Sequence, residues 1–179
     1  MNSRLSFSAA ILLLLTACGG ATRNNAADSV AVNDTALNVH ADNGSSLDVQ
    51  PLNGYFVKNT IQVNDSLTFW LIDNPATFDS LFGVAKTMNN KIDRPDFGTQ
   101  VVVAATMPAT FYGTQIQLAS ATTDDLTNNA EMHFVAAGQA EKNSYSSTPL
   151  WVGSIPKTGR TNIKVYTGDQ LSATLTTKE

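Results

Sequence analysis

The chain has 179 residues, of which 42% are apolar, and its formal net charge is −4 at neutral pH. Mild acidity without a long basic run makes nucleic acid a poor partner, because phosphate contacts need clustered Lys and Arg. The length allows one domain with a tail. Cys18 is the only cysteine, so no intrachain disulfide can form and the packing of the core must hold the fold.

The first 18 residues have the layout of a secretory signal. Arg4 gives a positive start, and Ala9 to Leu15 form an apolar run too short to span ~30 Å of hydrocarbon. The run leads into Leu15-Thr16-Ala17-Cys18, which resembles the lipobox of bacterial lipoproteins. This resemblance implies that residues 1–17 are removed as a lipoprotein signal peptide and that Cys18 is lipidated and becomes the mature N-terminus.

The lipid would hold the protein at a membrane. Lipoproteins of this kind carry several acyl chains, and two or more chains anchor a protein stably. Gly19 and Gly20 follow Cys18 without an acidic neighbour. Because an aspartate at that place tends to retain Gram-negative lipoproteins at the inner membrane, the resemblance favours the outer membrane. We therefore expect a cell-envelope protein whose domain is periplasmic or surface-exposed.

Residues 18–50 are predicted to be a flexible linker behind the anchor. Gly, Ala, Asn, Asp, Ser and Thr dominate this stretch, and its few large apolar residues follow no period. The burial they offer would not offset an ordering cost of ~1–2 kcal/mol per residue. His40 lies in this stretch and is predicted to be solvated.

Two triplets in the linker suggest modification. Asp28-Ser29-Val30 and Asp34-Thr35-Ala36 resemble the Asp-Ser/Thr-apolar sites of periplasmic O-glycosylation in Bacteroidetes. The resemblance implies glycans on Ser29 and Thr35. Triplets of the same type recur at residues 65–67 and 79–81, so chance matches remain an alternative.

The composition changes at Pro51, and residues 51–179 are predicted to form a β-rich domain. Aromatic and β-branched residues predict strands over 54–57 and 67–72. In the second strand, alternation should place Phe69 and Leu71 on one face and Trp70 and Ile72 on the other.

A short helix should follow these strands. Asn74 is suited to the N-cap and Pro75 to the first helical position. Phe78, Leu81 and Phe82 fall at helical spacing and form an apolar stripe for a sheet face. Gly83 is expected to end the helix.

The second half of the domain contains further strands. Residues 100–106 are continuously apolar, which predicts a central strand buried on both faces. Clean alternation predicts half-exposed antiparallel strands over 113–120 and 131–136. We expect a mainly β fold, namely an antiparallel sandwich or partly open barrel of about seven strands with one short helix packed on a sheet face.

The connections between the later strands are also predicted. Residues 122–129 are expected to form a polar turn and residues 138–147 a flexible polar loop. Residues 149–157 and 162–166 look like a final strand pair joined by the turn at 157–160.

The order of these signals resembles the C-terminal domain of the protease-complex-associated protein PrcB, over roughly residues 72–166. The segments that carry the resemblance are Phe78-Asp79-Ser80-Leu81-Phe82, Pro95-Asp96-Phe97, Val101-Val102-Val103, Tyr112-Gly113 with Ile116 and Leu118, and Thr148-Pro149-Leu150 running to Ile155-Pro156-Lys157. This chain departs from the family at two places. The family's turn has Gly before the aromatic residue, whereas here Tyr112 precedes Gly113, and the family has an aromatic residue directly after the late Pro, whereas here Leu150 separates Pro149 from Trp151. The resemblance implies a role in assembling or stabilising a protease complex.

The sequence contains no group of residues with the spacing of a known catalytic motif, and it predicts no cofactor or metal. The chain lacks Gly-x-Ser-x-Gly, His-Glu-x-x-His and Cys-x-x-Cys motifs and a phosphate-binding glycine loop. His133 could meet Glu131, Asp124 or Asp125 at a metal ion. The alternative is a solvent-facing strand histidine beside a polar turn, and an Asp124-Asp125 pair is also ordinary turn chemistry.

Exposed aromatic residues are the candidate binding site. Phe111, Tyr112 and Gly113 stand at a turn that opens a strand, and Pro149 and Trp151 open a later one. If the two regions adjoin, they would form an aromatic patch of the type that dominates protein interfaces. The alternative is that these aromatic residues pack in the core. We expect a lipid-anchored binding module for an envelope protein or protease, or else a structural envelope lipoprotein without a dedicated partner.

Overall fold

The computed structural model describes residues 44–85, 92–124, 126–157 and 162–177. The chain divides into two units, residues 1–40 and 41–179, and all described residues belong to the second. These residues form thirteen strands and one helix: β1 (Ser45–Ser46), β2 (Gln50–Pro51), β3 (Tyr55–Val57), β4 (Thr68–Ile72), α1 (Pro75–Leu81), β5 (Phe82–Val84), β6 (Gln100–Thr106), β7 (Thr110–Tyr112), β8 (Gln115–Asp124), β9 (Asn129–Ala137), β10 (Lys142–Ser147), β11 (Leu150–Pro156), β12 (Asn162–Thr167) and β13 (Gln170–Thr176).

Two larger sheets organise the domain. Sheet 1 has the order β1-β8-β9-β12-β13, and sheet 2 has the order β2-β11-β6-β4. Two-stranded ladders join β7 to β10 and β3 to β5. Neighbouring strands are antiparallel except β9 and β12, which are parallel. The predicted mainly β, sandwich-type class is confirmed, and the strand number exceeds seven because short edge segments pair as strands of their own.

A first apolar core lies between the two sheets. Sheet 1 contributes Ile116, Met132, Phe134 and Val165, and sheet 2 contributes Val101, Val103, Ala105 and Ile155. Interdigitation of inward-facing side chains from two sheets is the usual core of a sandwich.

A second core covers the opposite face of sheet 2. Val102, Ala104 and Val152 pack there against Phe78 of α1 and Phe82 of β5. The helix and the β3–β5 pair thus form a third layer, as expected for one short helix packed on a sheet face.

The position of β6 explains why its sequence is continuously apolar, because its two faces line different cores. Residues 101–106 are all buried, so each position requires a residue that tolerates complete loss of solvent. The prediction of a central strand is confirmed. The predicted faces of β4 are also confirmed, since Phe69 and Leu71 pack on the first core and Trp70 and Ile72 on the second.

The helix begins where the sequence predicts. Asn74 Oδ1 accepts a hydrogen bond from Thr77 N at 2.8 Å, and Pro75 is the first helical residue. The prediction that Gly83 ends the helix is wrong. Phe82 donates its N–H to Phe78 O and then turns extended, at φ −113° and ψ 142°. A glycine is not needed for that exit, and Gly83 instead lies inside β5.

The domain begins before Pro51, which corrects the predicted linker boundary. Strand β1 pairs with β8 and strand β2 pairs with β11. Between them, Leu47 is buried in the first core and Val49 packs against it. Residues 44–50 therefore belong to the fold, because two well-placed apolar side chains suffice when the sheets supply the partners.

Three predicted connections are also corrected. The polar turn expected from residue 122 starts later, since β8 runs to Asp124. The loop expected over 138–147 contains β10, which pairs with β7. Strands β11 and β12 are not partners: β11 lies between β2 and β6, and β12 between β9 and β13. The side chains of Ile163 and Val165 complete the first core from sheet 1, so β12 must leave β11 and cross the sandwich.

Candidate binding surface

Strands β7 and β10 connect the two sheets at one end of the sandwich. In sheet 2, β6 pairs with β11, and in sheet 1, β8 pairs with β9. Strand β7 stands between β6 and β8 in the chain, and β10 stands between β9 and β11. One antiparallel ribbon therefore passes from sheet to sheet, which is how sandwiches build corners. We call residues 110–112 and 142–147 the corner ribbon.

The corner ribbon exposes three aromatic side chains. Phe111 is 45% exposed, Tyr112 46% and Tyr145 66%. Tyr112 lies opposite Lys142, whereas Thr110 lies opposite Ser147, so the intervening part of β10 bulges from the ladder. Tyr145 lies in this bulge and is therefore held away from both sheets.

Lys142 places a positive charge beside one of these rings, that of Phe111. Lys142 Nζ lies 4.8 Å from the centroid of the Phe111 ring, a cation–π contact worth about 0.5–1 kcal/mol at an exposed site. On the same strand, Thr110 Oγ1 accepts a hydrogen bond from Tyr112 N at 3.2 Å. These contacts order the ribbon and give its surface both aromatic area and positive charge.

Trp151 and Pro149 do not join this exposed surface. Trp151 packs edge-on against Phe134, with the ring centroids 5.0 Å apart, and belongs to the first core. Pro149 is buried, and its carbonyl accepts hydrogen bonds from Thr106 Oγ1 at 2.8 Å and Met107 N at 3.3 Å. For Trp151, the structure therefore shows core packing, the alternative raised from the sequence for the aromatic residues.

Gly113 follows β7 directly and lies against Gln139. A Cβ at position 113 would approach the side-chain oxygen of Gln139 to 2.6 Å. The flexible side chain of Gln139 could move to relieve this contact, so the structure does not require glycine at position 113. Phe111, Tyr112 and Gly113 are thus the predicted site residues that remain on this surface.

Tyr145 is an exposed aromatic residue of the ribbon that the sequence analysis does not identify. It lies in the run Asn143-Ser144-Tyr145-Ser146-Ser147, which has no apolar alternation and therefore predicts a loop. Serines around a β-prone aromatic residue are compatible with an exposed strand, and that signal could have found it.

His133 has local partners on the outer face of sheet 1. Its Nδ1 atom lies 3.1 Å from Gly168 O, and its ring stacks on Tyr166 at 4.4 Å with an interplanar angle of 4°. Glu131, a proposed co-ligand, accepts a hydrogen bond from Lys164 Nζ at 2.8 Å. This hydrogen bond raises the pKa of Lys164.

Asp124 has a role in the turn between β8 and β9. Its carboxylate accepts hydrogen bonds from Thr127 Oγ1 at 2.6 Å and from Leu126 N at 2.9 Å. The Thr127 hydroxyl is the main reason that the pKa of Asp124 is lowered. Asp125 lies outside the described residues. Within the described ranges, no three His, Cys, Asp or Glu side chains gather as they would around a metal ion.

A groove lies next to the corner ribbon. Its volume is about 290 Å³, and it is bounded by residues 51–53, by the first residues of β8 and by the first residues of β11. Ile116 and Trp151 contribute apolar surface, Thr114 contributes a hydroxyl, and none of the lining residues is charged. The sequence did not reveal this groove, because three distant segments form it.

The predicted modification sites, Cys18, Ser29 and Thr35, lie outside the described residues. Within the part of the chain that the structure describes, no helix has the length and apolar character needed to cross a membrane. Comparisons with protein-family models, with curated proteins and with solved structures found no match to this chain.

Proposed function

We propose that this protein is a lipid-anchored lipoprotein of the bacterial cell envelope and that its β domain binds another envelope protein. Of the two membranes, the outer membrane is the favoured location of the anchor. The lipobox-like sequence ending at Cys18 supports the anchor. The likeness of its motifs to the PrcB C-terminal domain supports a partner that belongs to a protease complex. In this role the domain is an accessory module and has no catalytic chemistry of its own.

The exposed aromatic surface of the corner ribbon is the observation that carries the binding role. Phe111, Tyr112 and Tyr145 lie on one short ladder, and each keeps 45% or more of its surface exposed. Aromatic side chains supply large contact areas with few rotamers to freeze, so they are concentrated at interface hot spots. Lys142, whose Nζ lies over the Phe111 ring, favours a partner surface that carries a carboxylate.

The anchor can be tested by changing the thiol. In a bacterial host, the wild-type protein should incorporate labelled palmitate and remain with membranes after an alkaline wash. Cys18→Ser should do neither, because the acyl chains then have no attachment point. A Cys18→Ser protein that stays with washed membranes would show that something other than the lipid holds it there.

The binding surface can be tested by crosslinking in intact envelopes followed by recovery of the tagged protein. A Tyr112→Ala/Tyr145→Ala double variant should lose a partner that the wild type recovers, by about tenfold or more for two hot-spot residues. Leu126→Ala is the matched control, since Leu126 is an exposed apolar residue at the turn between β8 and β9. Equal recovery by wild type, control and double variant would favour a structural lipoprotein without a dedicated partner.

A further inference from the structure

Residues 45–52 close one side of the sandwich by touching both sheets. Strand β1 extends sheet 1 along β8, and Leu47 N donates to Ala121 O at 3.1 Å. The chain then crosses over, and β2 extends sheet 2 along β11, where Leu52 N donates to Val152 O at 2.9 Å. This segment shows how an extended chain fits between the two sheet edges.

Beyond Leu47, the edge of β8 carries backbone pairing groups that no described strand uses. Phe134 O accepts a hydrogen bond from Gly168 N at 3.1 Å, so the backbone polar groups of Phe134 face away from β8. Leu118 lies opposite Phe134, and its N–H and C=O must therefore face away from β9. Ile116, two residues earlier, has the same orientation. Among the described strands, none pairs with residues 115–119 on this side.

Beyond Leu52, the edge of β11 is left open in the same way. Leu150 lies opposite Thr106, and Met107 N donates to Pro149 O. This pattern identifies a pair without mutual hydrogen bonds. The N–H and C=O of Leu150 therefore point away from β6, toward the side on which β2 has already ended.

The groove described above separates these two open edges. Ile116 and Leu150 both line it, and its lining residues are uncharged. Backbone donors and acceptors thus face a neutral cleft, and residues 51–53, at the end of the crossing segment, form part of its wall. A charged side chain would lose hydration there without gaining a partner.

We propose that this groove binds an extended, uncharged segment of a partner polypeptide, which adds as a strand to the open edge of β8. The guest runs antiparallel to β8, as β1 does, and its hydrogen bonds go to Ile116 and Leu118. Every second guest side chain faces the groove, where Ile116, Leu150 and Trp151 offer apolar contacts, because alternate residues of a strand share a face. Leu150 offers a further backbone contact from sheet 2. This site is distinct from the aromatic surface of the corner ribbon and does not depend on it.

The test uses the full-length protein and a phage-displayed library of linear twelve-residue peptides as the probe. Recovered peptides should contain an uncharged stretch with alternating apolar residues, and binding of the synthetic peptides is measured by fluorescence anisotropy. Methylating the nitrogen of a guest amide that pairs with β8 should weaken binding about fivefold to tenfold, since one hydrogen bond is lost. Methylating the alternate amides should change it little.

Two protein variants locate the site. Leu150→Pro removes an N–H that faces the groove at the first residue of β11, where proline is tolerated, and Leu150→Ala controls for the lost side chain. Leu150→Pro should bind more weakly than Leu150→Ala. Thr114 lines the groove but belongs to neither β8 nor β11, so Thr114→Trp should fill the groove without changing either strand. It should weaken binding by at least about tenfold. This variant keeps the test decisive if Leu150→Pro fails to fold. The proposal is overturned if no peptide is recovered, if methylation at both sets of amides acts alike, or if Thr114→Trp binds normally.

Discussion

Leu47→Ala should destabilise the domain, although Leu47 lies in a stretch whose composition predicts a linker. Leu47 is 5% exposed and belongs to the first core. Burying a leucine side chain is worth about 1.5–3 kcal/mol, and Leu→Ala changes in cores cost about 2–5 kcal/mol. Because Leu47 follows a two-residue edge strand that can shift into the space, we expect a loss in the lower part of that range, about 2–3 kcal/mol.

The assay is urea denaturation of the wild type, Leu47→Ala and Leu126→Ala, with unfolding monitored by circular dichroism. Leu126 is 98% exposed, so the same chemical change there should alter the free energy of unfolding by less than about 0.5 kcal/mol. The m-values should agree, because all three proteins expose similar surface on unfolding. Equal stability of the two variants would refute the conclusion that residues 44–50 are part of the fold.

Two further predictions concern a helix cap and an ion pair. Asn74→Ala should lower the free energy of unfolding by about 1 kcal/mol, because the Thr77 N–H loses its acceptor; Asn74→Asp should restore most of the loss in the same denaturation assay. Glu131 raises the pKa of Lys164 in the folded state above the ordinary value of 10.5. The stabilisation from this pair is therefore complete below pH 10.5 and is lost as the pH rises through the folded-state pKa. Wild type should lose stability over that range more steeply than Lys164→Met in denaturation series at increasing pH.

Local patterns predicted the parts of the fold that depend on local chemistry. Asn74-Pro75 defined the start of the helix, and the continuous apolar run at 100–106 defined the central strand. In both cases the physical cause lies within a few residues: a cap needs its own side chain, and a strand buried on both faces needs apolar residues at successive positions.

Local sequence patterns could not predict which distant strands pair with each other. The apolar positions of β12, Ile163 and Val165, would suit either sheet, and only the assembled core shows that they complete sheet 1. The parallel contact of β12 with β9 follows from that crossing. Likewise, Tyr112 is exposed whereas Trp151 is partly buried against the first core, because one residue lies on the corner ribbon and the other on the inner face of β11. The sequence places both at similar aromatic strand openings and does not distinguish them.

Both proposed binding sites occur where the chain passes from one sheet to the other. At the corner ribbon, the crossing moves Phe111 and Tyr145 out of the two cores, so their rings face solvent. At residues 45–52, the crossing ends each short ladder early, and no strand among the described residues lies beside the backbone groups of β8 and β11 that follow. A sandwich whose strands change sheets must contain such places, because a segment that pairs with one sheet cannot continue along the other. The surfaces available for partners are therefore a consequence of the topology, and substitutions within the cores should change stability before they change binding.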